Sequence, residues 1–174
     1  MTLSRKGLVL AAIQLAIVLS LGAKLLYDRA TRPRVWARTQ NFDPDLPIRG
    51  RYLALRVYLV PEGFAYQSPP PPNQNAWWMN QKWAYLSVRD KRLIGSADGS
   101  GSGMWVFIQK NPDGSLSALA QDPVLVFIPE TFQMPAARAG DELWVELTLP
   151  AKGPPRPIRL AINNAGGFTP LHFN

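Results

Sequence analysis

Residues 51–60 read RYLALRVYLV, and the alternation within this stretch decides the fold. Leu53, Leu55, Val57 and Leu59 fall on one side; Tyr52, Ala54, Arg56 and Tyr58 fall on the other. A period of two with one wholly aliphatic row is the pattern of a strand that buries one face. Working outward, residues 81–88 (QKWAYLSV) repeat the pattern, with Trp83, Tyr85 and Ser87 opposite Lys82, Ala84, Leu86 and Val88. Two apolar runs, 104–110 and 115–120, flank Asn111-Pro112-Asp113-Gly114, a turn signal that predicts a hairpin. Residues 124–128 are a short apolar strand closed by Pro129. In 142–149 the residues Leu143, Val145, Leu147 and Leu149 line one side, and 158–162 supply a last strand. About seven or eight short strands separated by turn signals predict an all-β antiparallel sandwich or a partly open barrel. Residues 96–103 (SADGSGSG) read as a flexible loop, and Pro69 to Pro72 as an extended polyproline spacer.

Upstream, residues 7–27 (GLVLAAIQLAIVLSLGAKLLY) contain only Gln14, Ser20 and Lys24 as strongly polar residues. About 20 apolar residues in a helix span a hydrocarbon core of roughly 30 Å, and a terminal lysine can extend its head to the interface. Arg5-Lys6 and Ser20-Leu21-Gly22 also resemble parts of a signal peptide. The length favours a retained single transmembrane helix, with Gly7, Leu8, Leu15, Leu19, Leu26 and Tyr27 in contact with lipid. The expected organisation is a tail over 1–6, the helix over 7–27, a juxtamembrane connector over 28–47 and a β-rich domain over 48–174. Deleting residues 1–40 is expected to leave that domain folded.

The net charge of +7 follows the same division. Residues 1–40 hold seven bases against one acid, and residues 41–174 hold twelve against eleven. A nucleic-acid domain carries its basic stripe on the folded body, so this distribution argues against nucleic acid as a partner. It places Arg29, Arg32, Arg34 and Arg38 at lipid headgroups or against an acidic partner surface. Positive charge is heavier after the helix than before it, which by the positive-inside rule favours a cytoplasmic body. A short tail beginning Arg5-Lys6 is instead the usual start of a signal-anchor with a translocated body.

Several chemistries are excluded by composition. The absence of cysteine removes disulfides, thiolate metal sites, iron–sulfur clusters and a cysteine nucleophile, and the single histidine, His172, removes histidine-rich metal sites. Glu142 and Glu146 share an outer strand face and read as solvated charges rather than a catalytic pair. Asp90 and Asp98 lack the spacing of a calcium loop. Ser100, Ser102 and Lys110 match a serine–lysine dyad only in residue type. No catalytic residue, metal site or cofactor is expected. The most distinctive feature is the tryptophan set Trp77, Trp78, Trp83 and Trp105. Trp83 and Trp105 read as core residues of strands. Trp77, Trp78 and Met79, which follow a polar linker, form a candidate interface because adjacent side chains point to opposite sides of an extended chain.

Phe42-Asp43-Pro44 through Gly50-Arg51-Tyr52-Leu53-Ala54-Leu55-Arg56 resembles the GDYXXLXY-motif family of uncharacterised bacterial proteins, in which a hydrophobic N-terminal segment precedes a small β-rich domain. Residues 82–92 (KWAYLSVRDKR), 126–130 (VFIPE) and 156–162 extend the likeness over most of 40–162. Gly50, Tyr52 and Leu55 match the motif; Arg51 stands at its acidic position and Val57 at its last tyrosine. The resemblance implies a bacterial inner-membrane protein with its β-domain on the periplasmic side, encoded beside larger integral membrane proteins. Together with the lone helix, it leads to the expectation of a non-catalytic accessory subunit docking on a larger membrane complex. The alternative expectation is a glycan- or lipid-binding module using Trp77, Trp78 and Tyr66.

Overall fold

The structure, a computed structural model, describes residues 5–40, 52–68, 77–129, 140–164 and 167–172, with the backbone alone at 5, 28, 29, 77 and 78. It divides into two units, residues 1–32 and 33–174.

The first unit is helix α1, Arg5–Thr31. Its segment Lys6–Tyr27 has a mean hydropathy of 2.2 and is long and apolar enough to cross a membrane. Gly7, Leu8, Leu15, Leu19, Leu26 and Tyr27 are all exposed along it. The Ser20 hydroxyl donates to the Ile17 carbonyl at 2.8 Å, and that of Thr31 to the Tyr27 carbonyl at 2.8 Å. Within a helix these bonds satisfy hydroxyls that have few other partners. The helix outlasts its apolar segment by four residues because nothing stops it before Pro33, which disfavours helical backbone at Arg32.

The second unit is all-β. Its strands are β1 (Arg34–Arg38), β2 (Tyr52–Leu55), β3 (Tyr58–Glu62), β4 (Gln81–Arg89), β5 (Arg92–Ser96), β6 (Gly103–Lys110), β7 (Leu116–Ala120), β8 (Val124–Phe127), β9 (Glu142–Thr148), β10 (Arg156–Asn164) and β11 (Gly167–Pro170). β3, β5, β4, β6 and β7 close into a barrel in that order, β1-β9-β10-β11 form a four-stranded sheet, and β2 pairs with β8. All described pairings are antiparallel except β3 with β5. The barrel is therefore closed, not partly open, and contains one parallel contact. Five strands leave a narrow interior. Ala84, Gly95, Ala118 and Ala120 suit it: a Cβ on Gly95 would stand 3.2 Å from that of Ala84.

The alternating rows are buried as their period requires. Leu53, Leu55, Val57 and Leu59 join Leu143, Val145, Leu147 and Leu149 in one hydrophobic core. Hydrogen bonding departs from the expectation. Residues 51–60 are not one strand: β2 ends at Leu55, and β3 starts at Tyr58 in the barrel. Between them the Arg56 carbonyl accepts from Gln40 N and the Val57 carbonyl from Ala120 N, so the chain changes partners without losing its buried row. Side-chain period reports burial and is silent on which neighbour supplies the ladder.

The connector expected over 28–47 is also divided. Residues 28–31 continue α1 and 34–38 form β1, whose Val35 and Ala37 are buried against β9. Thr39 closes this region, bonding to the Leu143 carbonyl through both its amide and its hydroxyl. The β unit thus begins at Pro33 and carries 14 bases against 11 acids, a net charge of +3. A cut after residue 40 would remove one of its core strands.

Candidate functional site

The outer face of the body carries two aromatic surfaces. The first begins where β4 pairs with β6. Trp83 and Trp105 are register partners, with ring centroids 5.5 Å apart and planes at 79°. They are 41% and 43% exposed, so neither is a core residue. Their opposite neighbours, Ala84, Met104 and Val106, take the interior. The Trp83 ring lies over Gly103, where a Cβ would come within 2.7 Å of it. That contact is open only to glycine and sets the ring's height above the strand.

A groove of about 430 Å³ starts at Trp83 and is walled by Met104, Pro123, Pro155 and Leu125. Leu125 belongs to β8, whose outward residues Leu125 and Phe127 are 56% and 49% exposed. β8 pairs with β2, setting Phe127 opposite Tyr52, with ring centroids 5.8 Å apart. Tyr52 is 60% exposed. Apolar side chains therefore extend from Trp105 through the groove to Tyr52, and large exposed patches of this kind mark interaction surfaces.

The second surface lies on the four-stranded sheet. Phe168 of β11 meets Trp36 of β1 edge-on at 4.8 Å and Trp144 of β9 at 6.1 Å. Ion pairs run through these rings. Arg159 pairs with Glu146 at 2.7 Å and lies 5.4 Å from the Trp36 ring centroid. Arg38 pairs with Glu142 at 3.1 Å and stands 4.6 Å from the Tyr58 ring centroid. Burial alone would raise the Glu142 pKa. Hydrogen bonds from Trp144, Arg38 and Asn163, with the charge of Arg38, outweigh it and hold the carboxyl below its ordinary value.

Several expected site residues lie elsewhere than the sequence places them. Glu146 is not a solvated charge: its side chain is 8% exposed, and Arg159 covers it. Arg34 and Arg38 are not connector residues but part of β1, and Arg38 is bound within the sheet face. Arg32 lies beyond the end of α1, and Arg29 is described in backbone only. Trp77, Trp78 and Met79 form one 3-10 turn, Trp77–Asn80, with Met79 half-buried; the Trp77 and Trp78 side chains lie outside the described residues. The Asn80 side-chain amide ties that turn to the Gln67 backbone: its Oδ1 accepts from Gln67 N at 2.9 Å and its Nδ2 donates to the Gln67 carbonyl at 2.8 Å. Tyr66 packs against the core. Leu55 is buried, Tyr52 is exposed, and Gly50 and Pro69 to Pro72 lie outside the described residues.

Ser102 is buried and donates to the Gly153 carbonyl at 2.7 Å, so the loop expected to be flexible is tied down at its end. Lys110 ends β6 opposite Leu116. No group of three or more metal-ligating residues is present among the described residues. The sequence reading missed Trp36, Trp144, Leu125 and Phe127. For the last two a signal was available: Val124 and Val126 alternate with Leu125 and Phe127, giving a strand with two apolar rows and one core to bury them in. Neither family models, curated proteins nor solved structures provide a match to this chain.

Proposed function

We propose that this chain is a non-catalytic, single-pass accessory subunit of the bacterial inner membrane, whose β-domain docks on a larger integral membrane protein, on the periplasmic side. The observation that carries the reading is the exposed apolar surface from Trp105 through Leu125 to Tyr52. In water such a surface is costly, and aromatic anchors are the residues that dominate protein interfaces. An N-terminal helix able to span the bilayer would confine that surface to the membrane, where a second contact on the same partner gains from high effective concentration. The resemblance to the GDYXXLXY-motif family supports the same placement. A glycan- or lipid-binding module is the second reading, favoured by the concavity of the groove beside Trp83.

Photo-crosslinking in intact membranes tests the first reading. A crosslinking residue at position 105 or 125 is expected to capture one discrete integral membrane protein, and one at position 113, in the β6–β7 turn, is not. Trp83→Ala with Trp105→Ala should abolish the product from position 125 while the chain stays in the membrane. A full-length protein that is a detergent-solubilised monomer and yields no discrete crosslink would refute the docking role. Saturable glycan binding lost in the same double variant would then favour the second reading.

A further inference from the structure

At the seam where β1 passes beside β3 and β5, a second pocket of about 400 Å³ opens. Trp36, Tyr58 and Trp144 are its aromatic walls, and Arg38, Lys91 and Arg92 are its cations. Glu142 is the one carboxylate among its described lining residues, so that lining carries a charge of +2. Arg38 is engaged by Glu142 and by the Tyr58 ring. The side chains of Lys91 and Arg92 make no ion pair or hydrogen bond among the described residues.

The backbone beneath these two cations is unusual. Asp90 and Lys91 form the two-residue β4–β5 turn at φ values of 50° and 59°. Both residues of such a turn are left-handed; aspartate tolerates that conformation and glycine is favoured at the second position. Lysine stands there instead, holding a strained backbone while its side chain lines the pocket. Strain retained beside a cavity is a pointer to function when other observations agree. Here the charge, the rings and the shape agree.

We infer that this pocket binds a phosphate monoester, its phosphate held by Lys91 and Arg92 and its organic part lying against Trp36, Tyr58 and Trp144. A monoester carries about −1.5 to −2 charges at neutral pH, matching the local +2. Ammonium and guanidinium groups supply the charge-assisted hydrogen bonds such an anion takes up. The rings give a ligand with a flat or apolar portion an advantage that inorganic phosphate lacks. A lipid headgroup such as phosphatidic acid and a soluble phosphate ester present the same chemistry.

Calorimetry on the full chain in phosphatidylcholine nanodiscs, with phenyl phosphate as probe, tests this. Phenyl phosphate should bind more tightly than inorganic phosphate or phenol. Lys91→Gly and Arg92→Gln should each weaken it about tenfold, the scale of one lost charge-assisted contact. Lys91→Gly should at the same time raise the melting temperature, because it relieves the turn; the opposed signs separate a ligand contact from a structural role. With phosphatidic acid in the nanodiscs, weakened binding of the probe assigns the pocket to lipid headgroups, and unchanged binding assigns it to soluble esters. If phenyl phosphate bound no better than phenol or inorganic phosphate, or if both variants bound it as the parent does, the assignment would be overturned.

Discussion

The two aromatic surfaces of the body use the same rings and differ in what stands between them. On the groove side, Trp83 and Trp105 meet edge to face, and the surface continues through Pro123, Leu125 and Phe127. On the sheet side, Trp36, Trp144 and Phe168 also meet edge to face, but Arg38, Glu142, Glu146 and Arg159 run through them. Aromatic content alone therefore says little about a surface. The groove face, with Asp122 as the one charged residue of its described lining, gains mainly by excluding water and depends little on charge screening. A face laced with ion pairs keeps part of its polar capacity in reserve and responds to ionic strength and pH.

The largest effect that would separate the two surfaces comes from the chain's start. β1 carries Trp36 and Arg38 of the sheet face and nothing of the groove. Deleting residues 1–32 should leave a folded β unit. Deleting 1–40 should cost more than about 3 kcal/mol, because Val35 and Ala37 leave the core and β9 loses a ladder partner. Chemical denaturation of the two truncations measures the gap. Equal stabilities would mean that the sheet face is an appendage of the barrel rather than part of one core.

Next in size is the buried charge. Arg159→Met should destabilise by about 3 kcal/mol, since it leaves Glu146 uncompensated at 8% exposure. The exposed pair Arg89–Glu62, at 2.7 Å, has the same bond length and opposite context, and Arg89→Met should cost less than about 1 kcal/mol. Urea midpoints for the two variants would decide whether burial or geometry sets the value of an ion pair here.

On the groove side the corresponding change is steric. Gly103→Ala should cost about 1–2 kcal/mol and tilt the Trp83 ring off its partner, because the new methyl group meets the ring at under 3 Å. Near-ultraviolet circular dichroism would register the lost Trp83–Trp105 coupling. An unchanged spectrum would show that the glycine is not what sets the ring.

The smallest effect is in pH. The folded Glu142 carboxyl titrates below its ordinary value of 4.5, so its contribution is present above that value and is lost as pH falls through the lower folded one. The gap in melting temperature between the parent and Glu142→Gln should accordingly be widest near neutrality and close in acid. The gap for Gly103→Ala should stay flat over the same range, because Gly103, Trp83 and Trp105 do not titrate there.

Much of this body was legible in its sequence. The aliphatic rows of 53–59 and 143–149, the hairpin across Asn111 to Ser115 and the apolar helix all follow from local period and turn chemistry. What escaped depends on partners far along the chain. RVWAR of β1 alternates as a strand does, but its two flanking arginines beside a hydrophobic helix read as headgroup contacts. Glu146 reads as solvated until β10 brings Arg159 over it. Barrel closure through the parallel β3–β5 contact leaves no trace in either strand, because side-chain period is the same whatever the neighbour's direction. The sites were less legible than the fold, since the outward residues of β8 and β9 carry meaning only once their neighbours across the sheets are known.

Pairing β1 with β9 also imposes an order on assembly. Arg38 bonds to Glu142, 104 residues downstream, whereas every barrel strand lies within Tyr58–Ala120. At a synthesis rate of about 5–20 residues per second, β1 waits roughly 5–20 s for its partner to be made. The barrel can close during that interval, and the first core strand cannot be seated until after it. Pulse-labelled hydrogen exchange on refolding should find barrel amides protected before those of residues 34–38; the reverse order would show that the sheet nucleates the body. The residues following Pro33 thus emerge early from the ribosome and are among the last to be secured, and until then Val35 and Ala37 stay open to water and to any chaperone that meets them.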